Sequence, residues 1–554
     1  MFVRIKTTPN SPRKSVQIVQ SVRKGDKVVQ KIVRYIGIAM DEDELEKLKL
    51  LAESIKIKLE ADNQGLLFSP EELARLNKRE KDEGSDKDYE VNLKDILEEQ
   101  RVVSGIHDIY GSLFDELGYA KVIKNPKRYK SVVDIYKNIV LARIANPVSK
   151  KGSIDMLEED FGISINLDKV YRMMDKIDSE AIERLNEITY ENTLNLFNQK
   201  VDVIFFDCTT IYFEAFEEDD LRRNGYSKDL KFNQPQILLA LMVTREGLPI
   251  GYKVFEGDKY EGHTLIPMIK EIEKKHKINK VIIVSDAGMF RKNNLEELEN
   301  LEGNGIEYII GARLKNMPED IKEEILDTSK YREISSGYKV LRLKYKGKDL
   351  IVSYSEKRAN KDAQDRIKAI ESIEKKLSKN KSPTNYLSRY GYKRYLKVSD
   401  KTKVEIDEEK VLNDSRWDGL GGIITNAKDI SDREILEQYN NLWNVENAFR
   451  ITKHDLKVRP VFHWKPSRVM AHVAISFTAY ALVKHLEYRV KLQYKKLSCE
   501  KIRQILIKAQ TSILFDKVKK IRYGLPSRIS QEADKIYKLM RREWRLTPYI
   551  IKKM

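Results

Sequence analysis

Three carboxylates carry the chemistry this chain offers. Asp207 ends the apolar run Phe205-Phe206 and is followed by Cys208, Thr209 and Thr210. Asp286 ends a second apolar run and is followed by Ala287 and Gly288. Glu446 stands inside an amphipathic stretch, Tyr439 to Lys453, among aromatic and basic residues. Hard divalent cations prefer oxygen ligands, so carboxylates suit them where Cys or His do not. Three carboxylates suffice to hold two such ions for phosphodiester chemistry. No Ser-His-Asp or Cys-His motif offers a side-chain nucleophile instead.

Each of these residues also has a plainer reading. An Asp at the C-terminal end of a strand lies where α/β sheets put their sites, but it also caps turns. Ser431 predicts a helix start, with Glu434 completing a capping box. Tyr439, Glu446 and Lys453 are spaced by seven, nearly two helical turns, so one helix would project all three from one face. Trp443 and Arg450 flank that face. The alternative is a solvated row of ion pairs. Phe290 and Trp443 are candidates to stack on an unpaired base, an interaction of about 1–3 kcal/mol, or else are core residues.

Several elements must position these groups. Residues 2–38 alternate apolar and polar around Gly25-Asp26, which predicts a small basic β-meander. Residues 41–61 and a segment capped by Ser69 are expected helices, and 81–92 a linker. Residues 93–200 are expected to be all-α, broken at Asn125-Pro126, Asn146-Pro147 and Gly162. Strands are expected at 201–206, 209–213, 236–243, 280–285 and 306–310, with helices at 264–276 and 294–301. Hairpins followed by strand–helix alternation indicate a mixed α/β sheet. Residues 312–425 look strand-rich, as an insertion. From Ser431 the chain is expected to be helical to about 520, with a basic tail after it. The division is thus 1–92, 93–200, 201–311, 312–425, 426–490 and 491–554.

Charge is segregated along the 554 residues, which net +17. Residues 1–38 hold nine Lys or Arg against one acid, and 447–554 hold 26 against seven. The middle is net acidic. Such segregation favours a polyanion partner, nucleic acid before a membrane surface. Cys208 and Cys499 are the two cysteines, which argues against a zinc or disulfide framework. The start, Met1 to Lys6, is too short and charged for a secretory signal. The apolar run 471–483 falls short of the roughly 20 residues of a span. It reads as a buried helix, with Val469, Val473, Phe477, Tyr480 and Ala481 at core spacing, and the protein as cytoplasmic.

These residues resemble the DDE transposases of bacterial insertion sequences, in the group with a Tyr, Arg, Glu, Lys signature. Tyr439, Glu446 and Lys453 match its spacing, and Leu442 stands at the Arg position. Arg450, one turn beyond Glu446, is the candidate to compensate. Asp207-Cys208-Thr209-Thr210 and Asp286-Ala287-Gly288-Met289-Phe290 match the first and second catalytic segments. Arg459-Pro460-Val461-Phe462-His463 is also similar. The resemblance runs from about 100 to 490.

The resemblance implies an RNase H-like catalytic core with a β-rich insertion. Asp207, Asp286 and Glu446 would be both catalytic and metal-binding, holding two Mg²⁺ or Mn²⁺. Tyr439, Trp443, Arg450, Lys453 and Phe290 would contact DNA. The implied activity is binding of terminal inverted repeats, cleavage of 3′ ends and joining to target DNA. The β-meander and the helical domain would read the ends. The basic helical C-terminal region would grip backbone and support a homodimer on DNA. The protein would sit at the nucleoid, with no membrane partner. Two other readings stay open: an RNase H-like nuclease without strand transfer, and an inactive DNA-binding relic. A two-carboxylate glycosidase leaves the basic ends unexplained.

Overall fold

The structure is a computed structural model. It describes residues 2–7, 14–24, 27–39, most of 41–56, 89–197, 203–214, 217–225, 233–275, 281–287, 306–377, 395–400, 403–428 and 430–551. The helices expected at Ser69 and over 294–301, the Gly25-Asp26 turn, and Phe290 lie outside the described residues. Two compact units emerge. One comprises Met1–Val103, Lys508–Asp534 and Glu543–Met554; the other comprises Ser104–Ile507 and Lys535–Arg542.

The N-terminal alternation becomes a three-stranded antiparallel sheet of β1 (Phe2–Thr7), β2 (Lys14–Lys24) and β3 (Lys27–Ala39). Val16, Ile18 and Ala39 are buried with Leu45 and Ala52 of the helical segment that follows. Val29, Ile32, Tyr35 and Ile38 remain exposed. Next comes β4 (Ile96–Val103), a strand where helix was expected.

The second unit opens with helices Lys130–Ala145, Lys150–Phe161, Leu167–Met174 and Ser179–Leu196. Their starts follow from side-chain caps. Ser149 Oγ accepts from Gly152 N (3.1 Å) and Asp178 Oδ1 from Ala181 N (2.8 Å). Such caps contribute about 1 kcal/mol each. Gly162, at φ 67°, ends the second helix in the left-handed region that Gly adopts freely. These helices gather around Pro466–Gln493. That helix is long and apolar enough to cross a bilayer, but 94% of its apolar window is buried within the protein.

The sheet that follows has nine strands. They are β5 (Val203–Tyr212), β6 (Gln236–Thr244), β7 (Pro249–Glu256), β8 (Val281–Ser285), β9 (Ile306–Ala312), β10 (Arg332–Ser335), β11 (Tyr338–Tyr345), β12 (Lys348–Ser355) and β15 (Leu420–Thr425). A separate ribbon of β13 (Leu396–Asp400) and β14 (Lys403–Ile406) precedes β15. The order is β10-β11-β12-β15-β9-β8-β5-β6-β7. β8 runs parallel to both β5 and β9, and the other neighbours are antiparallel.

Four strands of the 312–425 segment therefore extend the central sheet past β9. One apolar core runs beneath both parts, from Ile204, Phe206 and Cys208 to Leu341, Leu350, Val352 and Ile424. Continuity of that core fixes the extension to the sheet, since each buried aliphatic or aromatic side chain contributes about 1.5–3 kcal/mol.

The C-terminal region departs from the helical expectation. After the helix Cys499–Ile507 come β16 (Gln510–Asp516), β17 (Arg522–Pro526) and β18 (Tyr549–Ile551), with a helix at Gln531–Leu539. They form a four-stranded sheet in the order β18-β17-β16-β4. A strand whose partner lies at the far end of the chain leaves little local trace. Thr511 and Phe515 of β16 face Val102 and Leu97 of β4 across the ladder.

Candidate active site

β5 carries the first carboxylate in its middle: the two strands expected at 201–206 and 209–213 are one, paired with β6 without a break, so Asp207 does not end a strand. The side chains of β5 alternate: Ile204, Phe206 and Cys208 enter the core shared with Leu265, Met268 and Ile269. Phe205, Asp207 and Thr209 therefore face the other side, where helix Trp443–Arg450 packs on β5 and β6. Asp207 is half-buried, and its Oδ1 accepts from Cys208 N at 2.7 Å. Asp286 follows β8 directly and is exposed; its Oδ1 accepts from Ala287 N at 2.6 Å. Phe206 of β5 is in register with Ser285 of β8. Asp207 and Asp286 are the next residue on each strand. Parallel strands lie about 4.8 Å apart, so the two carboxylates leave neighbouring strands side by side.

The third carboxylate comes from the helical segment after β15. Ser431 and Glu434 form the reciprocal capping box that starts helix Asp432–Asn440. Arg332 and Arg342 both pair with the buried Asp432 and fix its first turn to the sheet. The single straight helix expected from Tyr439 to Lys453 is interrupted twice. Leu442 N bonds to Tyr439 O and Val445 N to Leu442 O, a tight three-residue turn between two helices. Helix Trp443–Arg450 then widens into a π-helical turn, Ile451–Asp455. Turns of opposite pitch replace the uniform period, so the spacing of seven does not describe one face. Val445, Ala448 and Phe449 are buried, and Glu446 is exposed.

Tyr439 links the parts. A Cβ on Gly311 of β9 would lie 2.3 Å from Tyr439 Oη and 2.9 Å from Ala287 N. Only glycine there lets the phenol close against the backbone beside Asp286. Burial, then the negative charges of Asp286 and Glu446, push the phenol up to about 12, against an opposing pull from Arg358. Tyr439 thus feels both carboxylates. Among the described residues, no three carboxylate, imidazole or thiol groups are gathered closely enough to hold a metal ion. The donors are nonetheless of the right kind, and Asp207 and Asp286 share one register. Glu446 is the member outside that pair.

The remaining candidates fall as follows. Trp443 is 52% exposed, outside the core. Lys453 is half-buried on the π turn. Arg450 is exposed, with Nε and Nη2 donating to Asn447 Oδ1 (3.1 and 3.0 Å) and Nη1 to Asp455 (3.4 Å). Leu442 is half-buried.

Buried bases hold the chain just beyond. Arg143 Nη1 donates to Leu456 O (2.9 Å) and Lys457 O (3.0 Å), and His472 Nε2 to Val458 O (2.9 Å). Lys150 Nζ lies 3.4 Å from His472 Nδ1. Burial and the nearby Lys150 and Arg143 charges hold His472 well below its ordinary range, and His463 at about 4. Gly311, Arg143 and Arg358 escaped sequence reasoning. Each acts from an element remote in sequence, and no local motif marks it.

A family model described as "Transposase DDE domain" matches residues 199–482, just over half of the 554. The chain belongs to the DDE transposases. A second model, the N-terminal domain of the IS1634 family transposase, matches residues 3–65 of this transposase. It is an insertion-sequence DNA transposase, an enzyme of DNA cleavage and strand transfer, and DNA is its partner. No curated protein sequence matches it. Among solved structures it is similar to a piggyBac transposase synaptic complex with hairpin DNA, at 10% identity and a TM-score of 0.39, over 73% of this chain and 77% of that one. DDE transposases use divalent metal ions.

Proposed function

We propose that this transposase cuts the 3′ ends of its element and joins them to target DNA at a site made by Asp207, Asp286 and Glu446. The placement of Asp207 in the middle of β5 and of Asp286 just after β8, each one residue beyond the paired Phe206 and Ser285, carries the reading. The order β7-β6-β5-β8-β9, antiparallel on one side of β5 and parallel on the other, supports an RNase H-like core. The strands of 312–425 are its insertion.

Asp207 and Asp286 would hold two Mg²⁺ or Mn²⁺ with Glu446, and their oxygen donors fit such hard ions. Bound there, the ions supply an activated water or 3′-hydroxyl and a stabilised leaving oxygen. This chain's own groups then position the strand. Tyr439 lies beside Asp286 over Gly311, where it can donate a hydrogen bond to a phosphate oxygen. Lys453, on the π turn that follows the Glu446 helix, would add positive charge for the strand, and the exposed Trp443 would offer a face to an unpaired base. The basic ends of the chain would serve terminal repeats and DNA backbone, with two copies paired on DNA at the nucleoid.

Strand joining tests the reading. Pre-cut terminal-repeat DNA, full-length protein, a supercoiled target and Mg²⁺ should yield joined products. Metal-dependent nicking with no joining would favour the nuclease reading. Neither activity would leave a DNA-binding relic.

A further inference from the structure

Arg358 opens the long helix Glu356–Leu377 that leaves β12 in the inserted segment. Its guanidinium turns back onto the sheet. A Cβ on Gly421 of β15 would sit 3.0 Å from Arg358 Nη1. Ile423 pairs with Gly311 across β15 and β9. Gly421, two residues along, faces the same side of the sheet as Gly311. That side carries Tyr439 Oη over Gly311. Two bare glycines on neighbouring strands thus seat a guanidinium and a phenol on one face, next to Asp286.

The ordinary partners of Arg358 do not occupy it fully. Its side chain is 59% exposed, and Asp362 lies 3.8 Å from Nε. Asp362 also accepts from Gly419 N at 3.0 Å. The ion pair with Asp362 is a long one, made through Nε. The helical segment next to Glu446 offers no free guanidinium. Leu442 is apolar, and Arg450 is bound to Asn447 and Asp455. A guanidinium fork matches two phosphate oxygens. Its charge also reaches Tyr439, which senses Asp286 and Glu446 as well.

The geometry points to Arg358 as a phosphate-binding residue of the active site, supplied by the inserted segment and contacting a phosphodiester of the strand held near Asp286 and Tyr439. This rests on the transposition reading above. The inserted segment thereby takes part in substrate positioning as well as in extending the sheet.

The test pairs protein and substrate changes. Arg358→Ala should slow cleavage and joining about tenfold to a hundredfold, the cost of a charge-assisted hydrogen bond. Terminal-repeat binding should stay within about twofold, and Arg358→Lys should recover part of the rate. Substrates carrying one neutral methylphosphonate, moved along the strand near the cut, supply a readout that loss of fold would not mimic. At one position the wild type should fall to the Arg358→Ala rate while Arg358→Ala falls no further. Additive losses at every position would overturn the contact. So would Arg358→Ala at the wild-type rate while Asp207→Asn is dead. Asp207→Asn cutting like wild type would instead sink the catalytic reading, and this inference with it.

Discussion

Asp207 and Asp286 leave two parallel strands in step, and each accepts a hydrogen bond on Oδ1 from the amide that follows it. The two bonds are separate but alike, each tying a carboxylate to the amide next in its own chain segment. Each has a second oxygen not used in that bond. The middle of one strand and the end of its parallel neighbour thus set the spacing of the pair.

Asp207→Asn, Asp286→Asn and Glu446→Gln should each reduce cleavage by on the order of a hundredfold or more. Metal ions contribute several kcal/mol of charge stabilisation in such reactions. Binding of terminal repeats should change little, because no DNA anchor is lost. Gel-shift and nicking assays in Mg²⁺ measure the two effects separately. Strong cleavage by one variant would remove that residue from the triad.

Gly311→Ala should be costly although it removes no charge. The new methyl meets Tyr439 Oη at 2.3 Å and Ala287 N at 2.9 Å. Overpacking of this kind costs about 1–3 kcal/mol. Adding Tyr439→Phe should restore part of the lost stability by removing the oxygen, as thermal melting would report. No recovery would mean that the Ala287 backbone sets the conflict.

Stability should fall as pH falls below about 6.5, the ordinary histidine range. His463 and His472 are held neutral by burial. A histidine whose folded value is depressed contributes stability present above its unfolded value. Acid removes it, because the unfolded chain takes up a proton that the native chain refuses. Between pH 6.5 and about 4, each such group costs about 1.4 kcal/mol per pH unit. Urea unfolding at several pH values gives the slope, and His463→Gln should reduce it.

Non-specific DNA binding should weaken steeply with salt, with a slope near −0.9 per phosphate neutralised. Deleting residues 1–38 should cost more discrimination for terminal repeats than it flattens that slope. Unchanged affinity and specificity after truncation would assign DNA reading to other parts of the chain.

Lys453→Ala should impair strand joining more than overall DNA binding. Its ammonium acts on a strand held where water is partly excluded, and Coulomb terms grow there. Arg450→Ala should add little beyond that, since Arg450 is bound to Asn447 and Asp455. A Lys453→Ala variant that joins like wild type would return the π turn to a structural role.

Local signals were the legible ones. The apolar strand before Asp286, the Ser431–Glu434 capping box and the N-terminal alternation are each written within a few residues, whereas the continuation of β5 through Asp207 is set by its pairing with β6. The interruption at Asn441–Leu442 was not legible, because no Pro or Gly marks it and packing against the sheet sets it. Nor was the seat of Arg358, which depends on β15 lying between β12 and β9. The strands at 510–551 look helical or featureless alone, since their pairing with β4 supplies what their own pattern lacks.

That last pairing makes residues 510–516 matter to a strand at 96–103. β4 is translated early and stays without its neighbour β16 until about four hundred more residues have been made. Closing so long a loop costs on the order of 5 kcal/mol of chain entropy, so this sheet is a late product of folding. A copy of the element truncated near its 3′ end would still encode Asp207, Asp286 and Glu446. It would leave β4 without β16, so such a remnant would keep all three carboxylates and lose this sheet.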